Sequence, residues 1–136
     1  MSELAAIQNQ INRYTDAVNR RDWSVFPTIY AEDATWEAVG LNLRFEGLKA
    51  ITQGLSEIVE AMTVFVQMNS PAVIEVHGDH ALARSTIHEL WDVPAEGART
   101  DIYGRYEDEL VKVTADWMFQ SRRFVPISRR TIRIEG

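Results

Sequence analysis

The hydrophobic period of this chain changes once, near Thr63, and that change constrains the fold more than any single residue does. Before it, apolar residues recur at steps of three and four; after it, they alternate. Leu4, Ile7, Ile11, Tyr14 and Val18 form the apolar stripe of a helix predicted over 3–20. Asp22 is placed to cap a short second helix that turns Trp23, Phe26, Ile29 and Tyr30 inward, with Pro27 in its first turn and Glu32 and Asp33 ending it. A strand is predicted over 34–39, a turn and a second extended piece over 40–46, and a third helix opening at Gly47 with Leu48, Ile51, Leu55, Ile58 or Val59, and Met62 on its apolar side.

From residue 63 onward the pattern predicts strands only. Extended pieces over 64–68 and 72–76 flank Pro71, and His77-Gly78-Asp79-His80 supplies a tight turn into a long strand over 81–93. A polar loop over 94–99 leads to a hairpin of 101–113 and 117–125, with an edge strand over 131–134 after Pro126. Helices first and strands afterwards predict an α+β layer architecture, a curved antiparallel sheet packed against three N-terminal helices. Trp36, Trp91, Tyr103, Tyr106 and Trp117 are too many large, partly polar rings for a small closed core, whereas a sheet curled around a cavity accommodates them.

A length of 136 residues suits a single domain, 1–136, that buries about two-thirds of its unfolded surface. Cysteine is absent, which removes disulfides and thiolate chemistry and points to a reducing cytoplasm. The net charge of -6 opposes binding to phosphate backbones, so no nucleic-acid partner is expected and the Arg122, Arg123, Arg129, Arg130 and Arg133 cluster is read as local. No apolar run approaches the ~20 residues that span a bilayer, and no secretory pattern opens the chain, so no membrane partner is expected. Metal-ligand spacing, a Gly-rich phosphate loop and a nucleophile elbow are all missing, and no cofactor is predicted.

Several local strings then add up in order and spacing: AVNRRDW from Ala17 to Trp23, EDATW from Glu32 to Trp36, the Glu46-Gly47 step, VIEVHGDHALARS from Val73 to Ser85, YGRYEDEL from Tyr103 to Leu110, and DWMFQSRRF from Asp116 to Phe124. Together they resemble the SnoaL-like branch of the nuclear transport factor 2-like superfamily over nearly the whole chain. The resemblance implies a cone-shaped, cystatin-like α+β fold. It leaves function open, because that superfamily contains dehydratases, cyclases, isomerases, non-catalytic dioxygenase small subunits and binding proteins on one scaffold. In its dehydratases and dehydrochlorinases an Asp at the end of the first helix orients a His that abstracts a proton. Here the resemblance lays that dyad on Asn19 and Phe65, and an amide cannot stabilise the imidazolium that such chemistry forms.

The preferred reading is therefore a domain that binds a small hydrophobic or aromatic molecule in a cavity built from Tyr14, Asn19, Trp36, Phe65, Trp91 and Tyr106, with Arg122 available to an anionic ligand or a neighbouring carboxylate. A second reading is an enzyme on a polycyclic or terpenoid substrate, with His88 or Asp108 as a non-standard acid or base. A third is a non-catalytic subunit that uses its sheet face for assembly. His77 and His80 fall at a turn and are read as solvent-exposed, and Glu89 is placed with the surface charges. His88 lies mid-strand, on the face opposite Glu89, and the pattern leaves open which of the two faces the cavity. In all three readings at least a homodimer is expected, to cover apolar sheet surface.

Overall fold

A computed structural model describes residues 2–134. Helix α1, Glu3–Arg20, starts where Ser2 accepts a hydrogen bond from the Ala5 amide and stops where Arg21 turns into the left-handed region at φ 57. Ile7, Ile11, Tyr14, Ala17 and Val18 are buried along one side of it, whereas Leu4 is 54% exposed and lies off the stripe. Residues Trp23–Thr28 form a 3-10 helix capped by Asp22, which accepts from the Ser24 amide. Strands β1, Tyr30–Ala38, and β2, Leu43–Glu46, lead to helix α2, Leu48–Glu60. The remaining strands are β3, Val64–Asn69; β4, Val73–His77; β5, His80–Val93; β6, Ala98–Val113; and β7, Asp116–Arg133.

One seven-stranded sheet runs in the order β2-β1-β7-β6-β5-β3, with β4 also paired to β5. The helices cover its inner face, α1 against β3, β4 and β7 and α2 against β1 and β2. The expected α+β architecture is present, with a few differences. The second of the three expected helices is 3-10 rather than α and ends before Tyr30. The Phe119 amide donates to the Ile29 carbonyl at 2.7 Å, so Tyr30 starts a strand that runs parallel to β7 instead of finishing a helical turn. This is one parallel pair in an otherwise antiparallel sheet. Glu32 and Asp33, expected to end a helix, sit exposed at the irregularity in that pairing. The expected loop over 94–99 is shorter, since β6 begins at Ala98.

The last strand is continuous through Pro126, where a break was expected. β1 pairs with β7 only as far as Phe124, after which β7 has β6 alone as a neighbour, so an imino acid without an N–H costs no ladder bond on the free side. Along the other edge, β3 and β4 pair with successive halves of the long β5, and Pro71 lies in the gap between them. Gly104 is required by close packing: a Cβ there would run into the ring of Phe124. The Arg cluster disperses. Arg122 is fully buried, Arg123 pairs with Glu37 and Glu107, and Arg129 reaches the cavity described below.

Candidate functional site

Between the helices and the concave face of the sheet lies a cavity of about 180 Å³. Tyr14 and Val18 of α1, Leu55, Ile58 and Val59 of α2, Trp36 and Ala38 of β1, Ile102 and Tyr106 of β6 and Phe124 of β7 supply most of its wall. Phe65 and Trp91 stand opposite each other in the β3–β5 register and close one side. Its polar groups are few: the Tyr14 and Tyr106 hydroxyls, Gln67, Glu89, and Arg129.

Beneath the tyrosines the floor holds a buried ion pair. Asp108 accepts two hydrogen bonds from Arg122, from Nε at 2.8 Å and from Nη2 at 3.0 Å, and neither side chain has any solvent exposure. The guanidinium carbon lies 3.7 Å from the Tyr106 ring centroid, 4.3 Å from that of Phe119 and 4.4 Å from that of Tyr14. Burial disfavours the Arg122 cation, but the Asp108 carboxylate more than offsets this and holds it charged, above its ordinary value. Burial pushes Asp108 upward and Arg122 restrains it; the two parallel N–H···O bonds are those of an ionised pair. Both residues were candidates for the site itself, Asp108 as an acid or base and Arg122 as a ligand contact. Neither lines the cavity, because each occupies the other's hydrogen-bonding face.

The tyrosine hydroxyls are 3.2 Å apart, and Trp36 Nε1 donates to Tyr106 Oη at 3.4 Å. Burial raises both phenols above their usual value, so they are neutral. Two hydroxyl protons share one mutual hydrogen bond. Tyr30, whose ring lies edge-on to Tyr14, holds a third buried hydroxyl, which has no hydrogen-bond partner among the described residues.

Gln67 and Glu89 stand opposite each other in the β3–β5 register, and Gln67 Nε2 donates to Glu89 Oε1 at 2.7 Å. Thr15 Oγ1 donates to Gln67 Oε1 at 3.3 Å, which keeps the amide nitrogen turned toward Glu89. Burial raises the Glu89 carboxyl from 4.5 to about 7, against the hydrogen bond from Gln67 and the positive charge of Arg122.

The expectation for this strand is therefore corrected. Ala81, Ala83, Ser85 and Ile87 are the buried set, and Glu89 and Trp91 continue their parity into the cavity. His88 points to the outer face, hydrogen-bonded to Asp101 and stacked on the Tyr103 ring at 4.3 Å, out of reach of anything in the cone. Asn19 also lies outside the cavity wall. Its Nδ2 donates to the Gln67 carbonyl and its Oδ1 accepts from the Gln67 amide, both at 2.8 Å, so it pairs with the free edge of β3 as another strand would. A carboxylate could make only one of those two bonds. The residue that meets Asn19 is Gln67 rather than Phe65, which lies two positions earlier and lines the cavity. Among the described residues, no group of three or more His, Asp or Glu side chains could hold a metal ion.

Glu89 carries a pH signature. A folded-state value raised above the unfolded one means the native protein binds more protons between pH 4.5 and about 7, so stability falls as pH rises through that window. Urea unfolding should find wild type and Glu89→Gln converging near pH 5, and the variant more stable by about 1–3 kcal/mol at pH 8. Parallel pH profiles for the two proteins would contradict the assignment.

Residues 1–123 match the family model of the SnoaL-like domain. No functionally curated protein matches the chain in sequence. Among solved structures, a candidate scytalone dehydratase from Novosphingobium aromaticivorans superposes with a TM-score of 0.84 at 21% identity, covering 98% of this chain and 90% of its own. The hexachlorocyclohexane dehydrochlorinase LinA-type3 from Novosphingobium barchaimii does so at 0.85 and 18% identity, covering 94% and 88%. A nuclear transport factor 2-like superfamily protein from Salmonella enterica gives 0.82 at 15% identity, covering 92% and 91%. At these identities the structural likeness speaks for the fold alone, and together with the family match over residues 1–123 it means that this chain belongs to the SnoaL-like domain family.

Proposed function

We propose that this protein binds a small, uncharged and largely apolar molecule of one or two rings inside the cone. The observation that carries the reading is the cavity wall: aromatic and aliphatic side chains from both helices and from strands β1, β2, β3, β5, β6 and β7, with a few polar groups to orient a guest. A cavity of about 180 Å³ is close to the ~150 Å³ that holds benzene in an apolar core, so a polycyclic guest is disfavoured and a one- or two-ring molecule fits. Relatives named as a scytalone dehydratase and a hexachlorocyclohexane dehydrochlorinase are consistent with a guest of this class. The Asp–His dyad of such enzymes is laid by the resemblance on Asn19 and Phe65, and Asn19 is engaged with the Gln67 backbone, so binding does not imply their reactions.

A thermal-shift titration with 2-naphthol tests the reading. Wild type should gain stability with ligand, by about 2.7 kcal/mol at a hundredfold excess over the dissociation constant. Ile58→Trp, which fills the cavity from a half-buried wall position, should fold and show no gain. A flat titration for wild type across a panel of one- and two-ring compounds would contradict the proposal.

The protein also works as a homo-oligomer in this reading, in a cytoplasm that suits a chain without cysteine. Support comes from the outer face of the sheet, where Val66 and Met68 of β3 and Tyr103 of β6 leave apolar surface in water, Met68 at 65% exposure. Sedimentation equilibrium at micromolar concentration should return at least twice 15.5 kDa, and a monomer there would overturn this part.

A further inference from the structure

We propose that the Gln67–Glu89 pair selects a neutral cyclic amide as the guest: Gln67 Nε2 donates to the carbonyl oxygen of the amide and Glu89 Oε2 accepts from its N–H. This rests on the binding reading above and adds the chemical class of the guest and the residues that choose it.

The two side chains place a donor and an acceptor next to each other in the cavity wall. Gln67 and Glu89 stand opposite each other in the β3–β5 register, and both line the cavity. The bond between them, Nε2 to Oε1 at 2.7 Å, uses one of two N–H groups on the amide and one of two oxygens on the carboxylate. The second N–H of Gln67 and the Oε2 of Glu89 have no protein partner among the described residues. Gln67 is only 2% exposed, so its second N–H goes unsatisfied unless a guest meets it. Thr15, donating to Gln67 Oε1, fixes which end of the amide lies beside Glu89.

A guest that satisfies both groups carries an acceptor and a donor on one edge. A cyclic amide holds its C=O and N–H on neighbouring atoms, on the same side of the ring, and is uncharged at neutral pH. A phenol has one oxygen for both tasks, and its lone pair is delocalised into the ring, so it accepts poorly. A carboxylic acid would set a like charge against Glu89, and an ammonium group has nothing to accept from Gln67. The neighbouring wall suits the rest of such a guest. Phe65 and Trp91 also stand opposite each other, two residues along β3 and β5 and on the same face, so rings attached to the polar edge lie along these two side chains.

Glu89 is the only carboxylate among the described residues that line the cavity, and its charge state sets the choice. As a carboxylate it accepts from an N–H; once protonated it is itself a donor, and the preference for an N–H is lost. Burial brings that change to about 7, so the preference grows as pH rises through that value. The charged and titratable groups around Glu89 are Tyr14 from α1, Tyr106 from β6, Arg122 and Arg129 from β7, and His88 beside it on the other face of β5; α2 presents only apolar residues to the cavity.

The test compares 2-quinolone with coumarin, a lactone of the same shape in which oxygen replaces the N–H, by calorimetric titration. Wild type at pH 8 should bind 2-quinolone about tenfold or more tightly than coumarin, and the ratio should shrink toward one at pH 5.5. Glu89→Gln turns an N–H toward the guest in place of Oε2, because its own oxygen is taken by Gln67, and it should lose or reverse the preference at both pH values. Gln67→Leu keeps the backbone that pairs with Asn19 and should weaken both compounds by about threefold or more, since both present a carbonyl. Equal binding of the two compounds by wild type at pH 8, a preference that Glu89→Gln retains, or tighter binding of 2-naphthol than of 2-quinolone overturns the cyclic-amide proposal and leaves the binding reading intact. Failure of wild type to bind any member of the one- and two-ring panel overturns the binding reading beneath it.

Discussion

The guanidinium of Arg122 has no contact with solvent, and the arrangement of the cone depends on how that charge is satisfied. Asp108 takes two of its donors, and the rings of Tyr14, Tyr106 and Phe119 take its faces. The pair joins β6 to β7, and the rings join both strands to α1. Removing one partner of such a pair strands the other charge and costs about 3–5 kcal/mol, whereas replacing both by apolar groups is often neutral. Retention of the pair is then better explained by what lies above it than by stability. It keeps two tyrosines side by side at the cavity floor with a permanent positive charge behind them.

The same economy of polar groups governs the β3 edge of the sheet. Asn19 ends α1 by pairing with the backbone of Gln67, so the exposed edge of β3 is covered by a side chain. With its backbone held there and its amide oriented by Thr15, Gln67 donates to Glu89. An amide at position 19 is a loss only when it is compared with the carboxylate of a related catalytic dyad. In this chain it does what a carboxylate cannot, donating and accepting at once. The titratable group of the cavity has moved from that corner to β5.

Much of the fold was legible in the sequence because it is written in local periodicity. The stripe from Ile7 to Val18 and the one from Ile51 to Val59 each bury against the sheet as their spacing requires, and the alternation after Thr63 gives five strands, broken only by turns and a 3-10 turn at Pro94–Glu96. The parallel pairing of β1 with β7 was not legible, since Trp23, Phe26, Ile29 and Tyr30 have helical spacing and only the distant Phe119 amide decides that the helix stops. The site was harder. Slipping a strand's face by one residue exchanges every inward side chain for an outward one. Ala81-Leu82-Ala83 argues for the wrong face, because the larger apolar residue is the one that points out; Arg84, exposed, was the available signal that the odd positions, Glu89 among them, face in. For Asp108, a candidate acid or base from the sequence, the identity of its partner depends on the β6–β7 register, where Asp108 stands opposite Arg122. That register is a long-range fact with a bulge in it.

What distinguishes this cone from an inert apolar pocket is the state of one carboxyl group. Carbon-13 NMR of protein labelled at the glutamate side-chain carboxyls, with Glu89→Gln to assign the resonance, reads that state directly as pH is varied. A Glu89 resonance that titrates with a midpoint near about 7 is the result required by a carboxylate buried against Gln67 and the aromatic wall. A midpoint at the ordinary 4.5 would mean that water solvates this group freely, and the account of Glu89 as a carboxyl held in the cavity wall against Gln67 would fail.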